Sequence, residues 1–153
     1  PGGSGAGGVW DTNGQLAGGF DGTSVVQCHM TNSRLTDPEV LEFRFPVRLE
    51  GYEIRKGAGG AGAGTGGRVG WPRGRLAVRF LEPMTASILS NGRHHGAFGM
   101  AGGQPGAVGI NKVVRSDGRV ELLDHIGQAE MAPGDVFEIH TPGGGGFGAP
   151  GAK

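Results

Sequence analysis

The distribution of glycine constrains this chain more than any other feature of its sequence. Thirty-one of its 35 glycines fall in four clusters, residues 2–22, 57–74, 92–109 and 143–151, and the other four are scattered through patterned segments. Glycine loses more conformational freedom on folding than any other residue, and 35 glycines with nine prolines is the composition of many structureless polymers. Such a polymer would spread its glycines throughout, or place them at every third position as collagen does. Here ordered-looking blocks alternate with glycine-rich connections, which predicts a globular domain with unusually important loops. A chain of 153 residues, 36% of them hydrophobic, is enough for one domain and one core.

The blocks between clusters read mainly as strands. TSVVQCHM, residues 23–30, has the apolar run of a buried strand, whereas residues 1–22 carry the turn formers Asp11, Asn13-Gly14 and Asp21-Gly22 and read as loop. In residues 47–55, Val47 and Leu49 alternate with Arg48 and Glu50; in 75–80, Leu76, Val78 and Phe80 alternate with Arg75 and Arg79. A period of two is that of a half-buried strand. Residues 85–90 and 136–140 are shorter strand candidates, the second preceded by an Ala-Pro-Gly-Asp turn. Over 110–123, Asp117-Gly118 is expected to supply the two positive-φ positions of a tight hairpin turn. The one helical signal is TDPEVLEFRF. Thr36 or Asp37 can cap it, Pro38 suits its first turn, Glu39 stands at capping-box spacing from Thr36, and Pro46 ends it. These elements predict a mainly β (α+β) fold over residues 1–153: an antiparallel sheet sandwich or partly open barrel, with long Gly-rich loops and one short helix.

Several functional classes lose support at once. Fourteen basic and 14 acidic residues give a formal net charge of zero, and no basic run occurs, so neither nucleic acid nor an anionic membrane is an expected partner. The single cysteine, Cys28, rules out an internal disulfide framework and fits a reducing compartment as a small core residue. No apolar run approaches a membrane span and no signal-like start is visible, so the expected location is cytoplasmic. A chain beginning at Pro1 within a glycine cluster is expected to be a piece of something longer.

Nucleotide motifs fail on context. Residues 62–67 satisfy the G-x-G-x-x-G spacing, but that fingerprint needs a helix directly after it, and Gly70, Pro72 and Gly74 follow instead. Lys56, Lys112 and Lys153 are the only lysines and none stands in a Gly-Lys-Ser or Gly-Lys-Thr loop; no G-x-S-x-G elbow occurs. Of His29, His94, His95, His125 and His140, none has metal-ligand spacing to another. The adjacent His94 and His95 read as a solvated loop, and no metal ligand is assigned.

Two segments stand out as candidate sites. HMTNSRLTDPE, residues 29–39, packs His29, Thr31, Asn32, Ser33, Arg34 and Thr36 into eight positions between an apolar strand and a helix start. Either these groups form a binding site, or they cap the helix and satisfy loop backbone. HTPGGGGFG, residues 140–148, sets four consecutive glycines after a strand. Bared backbone N–H groups there could surround an anionic oxygen or let another segment approach closely, and a floppy tail is the competing reading.

Four segments, in order, resemble one family. HMTNSRLTDPEVLEFRFPVRLEGYEIRKGAGGAG, RFLEPMTASILSN, FGMAGGQPGAVG and MAPGDVFEIHTPGGGGFG are similar to the C-terminal region of the hydantoinase B/5-oxoprolinase family, from about Asp21 to Phe147. The resemblance implies the B-type half of an ATP-dependent cyclic amidohydrolase that opens a five-membered lactam or imide ring such as 5-oxoproline or a hydantoin. Its expected partner is an A-type subunit or fused domain, which binds ATP in an actin-like fold and activates the carbonyl oxygen as a phosphate ester, within an oligomeric assembly. Any divalent metal is expected outside this segment, and the chain alone is expected to lack activity as a C-terminal fragment. On this reading His29, Asn32 and Arg34 are the catalytic candidates, His29 as acid–base group. Thr31, Thr36 and the N–H groups of Gly143, Gly144, Gly145 and Gly146 are the candidates for binding substrate. One departure is that GGRVGWPRG, residues 66–74, stands where relatives carry a Gly-Gly-Asp-Gly turn, which removes the basis for a role of that loop. A subunit of an acetone/acetophenone-type carboxylase and a non-catalytic assembly domain are the alternatives.

Overall fold

A computed structural model of the chain describes residues 5–22, 36–55 and 73–149. Among these, nine strands and one helix follow one another as β1 (Gly7–Trp10), β2 (Leu16–Phe20), α1 (Pro38–Arg44), β3 (Val47–Arg55), β4 (Arg73–Phe80), β5 (Met84–Leu89), β6 (Ile110–Val114), β7 (Val120–Leu123), β8 (Ile126–Met131) and β9 (Val136–His140). The predicted strand at residues 23–30 lies outside the described residues.

Five strands form one antiparallel sheet in the order β3-β4-β9-β6-β7, and β5 and β8 form a separate two-stranded antiparallel ribbon. The period-two pattern decides which side chains meet. On β9, Phe137 and Ile139 face Val113 of β6 and Val78 of β4, while the ribbon contributes Met84, Ala86, Ile88, Ala129 and Met131 to the same cluster. The ribbon thus covers one face of the sheet, with Leu41 of α1 at the margin. Strands β3 and β7 remain as edges, so the mainly β, antiparallel architecture is a layered arrangement and not a closed barrel.

The helix is short because both ends are specified locally. Asp37, not Thr36, is the cap: its Oδ1 accepts from the Glu39 N–H at 2.9 Å, and Pro38 opens the helix. The expected box between Thr36 and Glu39 is therefore replaced by a cap one residue later. Phe45 turns extended at φ −131° and ψ 146°, the conformation that the following Pro46 favours.

Two further expectations are corrected. Residues 1–22, read as loop, contain the β1–β2 hairpin, closed where the Asp11 N–H donates to the Gln15 carbonyl at 2.8 Å. The β6–β7 turn has one positive-φ residue, Gly118 at 89°, and not two. The Gly118 N–H donates to the Arg115 carbonyl and the Arg115 N–H to that of Arg119, closing a three-residue loop in which Asp117 keeps ordinary backbone geometry.

Candidate functional site

The four glycines at 143–146 form a layer between two other segments. The Gly143 N–H donates to the Ala107 carbonyl at 2.8 Å and the Gly146 N–H to that of Gln104 at 2.9 Å. On the return, the Gly146 carbonyl accepts from Met100 at 2.9 Å and the Gly145 carbonyl from Ala6 at 3.1 Å. The opposing loop meets this layer with its own glycines. A Cβ on Gly106 would lie 2.3 Å from the Gly143 carbonyl oxygen, and one on Gly103 at the same 2.3 Å from that of Gly146. Two backbones approach so closely here that only hydrogen atoms fit between them, which is the close-approach reading of TPGGGG.

Two of the four amides are thereby occupied. Among the described residues the N–H groups of Gly144 and Gly145 donate to no protein acceptor, and all four glycines are buried. The layer lines a pocket of about 580 Å³ together with Asn91, His95, Phe98 and Met100. Such a pocket combines apolar walls with a few polar groups, as small-molecule sites do.

The predicted site residues are only partly brought together. His29, Thr31, Asn32 and Arg34 lie outside the described residues. Thr36 lies in a different pocket, of about 330 Å³, with Leu41, Leu49, Tyr52 and Leu76, and the glycine pocket does not include it.

Beside the glycine pocket is a corner that residue spacing did not reveal. Pairing of Leu89 with Ile126 brings residues 90–95 against 124–125. There His94 Nε2 lies 2.8 Å from Asp124 Oδ1 and 3.1 Å from His125 Nδ1, and His125 Nδ1 lies 2.8 Å from the same carboxylate oxygen. In sequence no histidine stood at ligand spacing to another; in space these three side chains form the kind of donor group that can hold a metal ion. His125 side-chain and backbone hydrogen bonds hold the Asp124 carboxyl down at about 2.

Asn111, 1% exposed, fixes this corner. Its Nδ2 donates to Ser90 Oγ at 2.9 Å and to the Asp124 carbonyl at 3.0 Å, and its Oδ1 accepts from Arg93 Nη2 at 2.8 Å. Burial lowers the pKa of the Arg93 guanidinium.

The face of the sheet away from the ribbon carries charge. Arg75 of β4 and Lys112 of β6 flank Glu138 of β9, at 2.9 and 3.2 Å from its Oε1, and His140 Nε2 is 2.5 Å from that oxygen. Burial pushes the Glu138 carboxyl up, but Arg75, His140 and Lys112 together override it and hold the group at about 2.

The antiparallel fold and the glycine layer frame what the chain is similar to. The family model described as hydantoinase B/oxoprolinase matches residues 1–150, and the chain belongs to that family. It is 42% identical over 148 residues to 5-oxoprolinase 1 of Arabidopsis thaliana, which covers 97% of this chain and 11% of that protein. With the 5-oxoprolinase of Dictyostelium discoideum the identity is 38% over 129 residues, 84% of this chain and 10% of the relative. The chain thus spans about a tenth of the length of these curated relatives. Among solved structures, the ATP-dependent caprolactamase from Pseudomonas jessenii has a similar fold, with a TM-score of 0.53 at 24% identity over 74% of this chain and 20% of that one.

Proposed function

We propose that this chain is the C-terminal part of a B-type half of an ATP-dependent cyclic amidohydrolase, which opens a five-membered lactam or imide ring together with an ATP-binding A-type subunit or domain. The observation that carries the reading is the 42% identity to a 5-oxoprolinase across 97% of the chain, glycine-rich segments included. An amide carbonyl becomes open to attack only when charge developing on its oxygen, or on a phosphate transferred to it, is met by preorganised donors. The Gly144 and Gly145 N–H groups suit that role, because they are buried, fixed by the layer on either side, and donate to no described protein group. His29 takes the acid–base role, since an imidazole titrates near neutrality, with Asn32 and Arg34 as the further catalytic groups and Thr31 as a substrate contact, whereas Thr36, in a separate pocket, is left out of the site. Nucleotide binding is assigned to the A-type partner on the family resemblance.

The test uses the full-length protein combined with its A-type partner. Ring opening of 5-oxoproline or hydantoin should require ATP and consume it in step with product. Failure to open any five-membered lactam or imide under ATP hydrolysis rejects the proposal, and ATP-dependent incorporation of bicarbonate into a ketone would assign the protein to the carboxylases instead.

A further inference from the structure

We propose that His94, Asp124 and His125 form a binding site for a divalent transition-metal ion of the zinc type. The three donor atoms stand 2.8, 2.8 and 3.1 Å from one another. Hydrogen bonding alone accounts poorly for such a triangle. Each ring nitrogen has one in-plane orbital, filled by either a proton or a lone pair, so it makes one good hydrogen bond and not two. If both nitrogens carried protons toward the carboxylate, the two N–H groups would crowd each other; if one did not, its lone pair would face an oxygen. A single cation above the triangle accepts an electron pair from all three atoms.

The edges fit such an ion. With metal–ligand bonds of about 2.0–2.1 Å, separations of 2.8–3.1 Å subtend roughly 85–100° at the metal. Three donors at near-right angles occupy one face of an octahedron and leave the remaining positions to water or a further ligand. Two imidazoles and a carboxylate suit zinc and the later first-row ions better than magnesium or calcium, which take oxygen.

The site is also built in advance of any ion. The Asp124 carbonyl is held by Asn111, the His125 carbonyl by the Ser90 N–H at 2.8 Å and hydroxyl at 2.9 Å, and Arg93, next to His94, is bound to Asn111. One buried amide therefore anchors both arms of the triad, at the Asp124 backbone and the Arg93 side chain, which fixes the points from which the three side chains extend. A cleft of about 170 Å³ lined by residues 90–95 and His125 lies against the triad, and Asn91, Gly92 and His95 also line the glycine pocket. The proposal rests on this corner alone and not on the cyclic-amide reading.

The experiment takes the full-length protein, strips it with a chelator, dialyses it against Zn²⁺ and measures bound zinc by mass spectrometry. His94→Ala, Asp124→Asn and His125→Ala should each hold one equivalent less than wild type, or bind that equivalent at least tenfold more weakly. Equal zinc content and affinity in wild type and all three variants would overturn the proposal. A second measurement needs no variant. Zn²⁺ added to the wild type should slow diethyl pyrocarbonate modification of both His94 and His125, mapped by peptide mass, and unchanged modification of both would equally overturn it.

Discussion

The α-carbon of Gly145 faces the carbonyl oxygen of Phe98 so closely that a Cβ placed there would sit 1.9 Å from it. Neither side of this contact is a flexible side chain, so nothing can swing away. Gly145→Ala should destabilise the protein by about 3 kcal/mol or more, at the upper end of overpacking costs. Gly18→Ala is the control: its Cβ would meet nothing within 4 Å, and the change should stay within about 0.5 kcal/mol. Denaturant midpoints of the two variants, compared with wild type, check the pair.

The same layer orders the amides by exchange rate. Gly143 and Gly146 donate to backbone carbonyls across the interface, so their N–H groups should exchange slowly in the native protein. Gly144 and Gly145, which donate to no described acceptor, should exchange faster, and should slow when an anionic ligand such as phosphate occupies the pocket. Hydrogen exchange resolved by NMR tests both statements. Rapid exchange at Gly143 and Gly146 would contradict the layered packing itself.

Much of the sheet was legible because its strands alternate. Leu76, Val78 and Phe80 against Arg75 and Arg79 mark β4 unmistakably, and every residue of that set is paired in the sheet or at its end. The hairpin of β1 and β2 was not legible, since GGVW and LAGGF offer glycine where alternation would show. Strand β8 escaped for a related reason: Gly127 and Ala129 face inward with too little side chain to announce it. The candidate site divides along the same line. The tetraglycine segment advertised a close backbone approach, but which two amides it leaves open depends on Ala107 and Gln104, in a loop far back along the chain. The triad of His94, Asp124 and His125 exists only because β5 pairs with β8, a long-range choice that spacing does not encode.

Acid should weaken the fold, and Glu138 sets part of the window. Its carboxyl falls from 4.5 to about 2 in the folded state, so between those values the unfolded chain binds more protons than the folded one. The stabilisation is complete above about 4.5 and is lost as pH falls toward 2. The lowered carboxyls of Asp135 and Asp124 act in the same direction. Glu138→Gln should cost about 2 kcal/mol at pH 7, because Arg75 and Lys112 lose their anion, and should flatten the dependence of the denaturant midpoint between about pH 5 and 3. An acid limb as steep in the variant as in wild type would remove Glu138 as its cause.

Asn111 offers the sharpest separation of roles. Its amide nitrogen holds Ser90 and Asp124, while its amide oxygen holds Arg93, and at 1% exposure the amide is out of reach of bulk water. Asn111→Ala removes one partner each from Ser90, Asp124 and Arg93, of which Ser90 still donates to the His125 carbonyl and Arg93 to the Asn91 carbonyl, so it should cost about 2–3 kcal/mol and loosen the corner that carries His94 and His125. Asn111→Asp keeps the acceptor for Arg93 but turns both donors into an acceptor aimed at the Asp124 carbonyl. It should therefore restore part of the stability without restoring the corner: denaturation should place it between wild type and alanine, while exchange of the His125 amide should be fast in both variants. Equal stability of the two variants would mean that the Arg93 contact contributes nothing and that Asn111 acts through its donors alone.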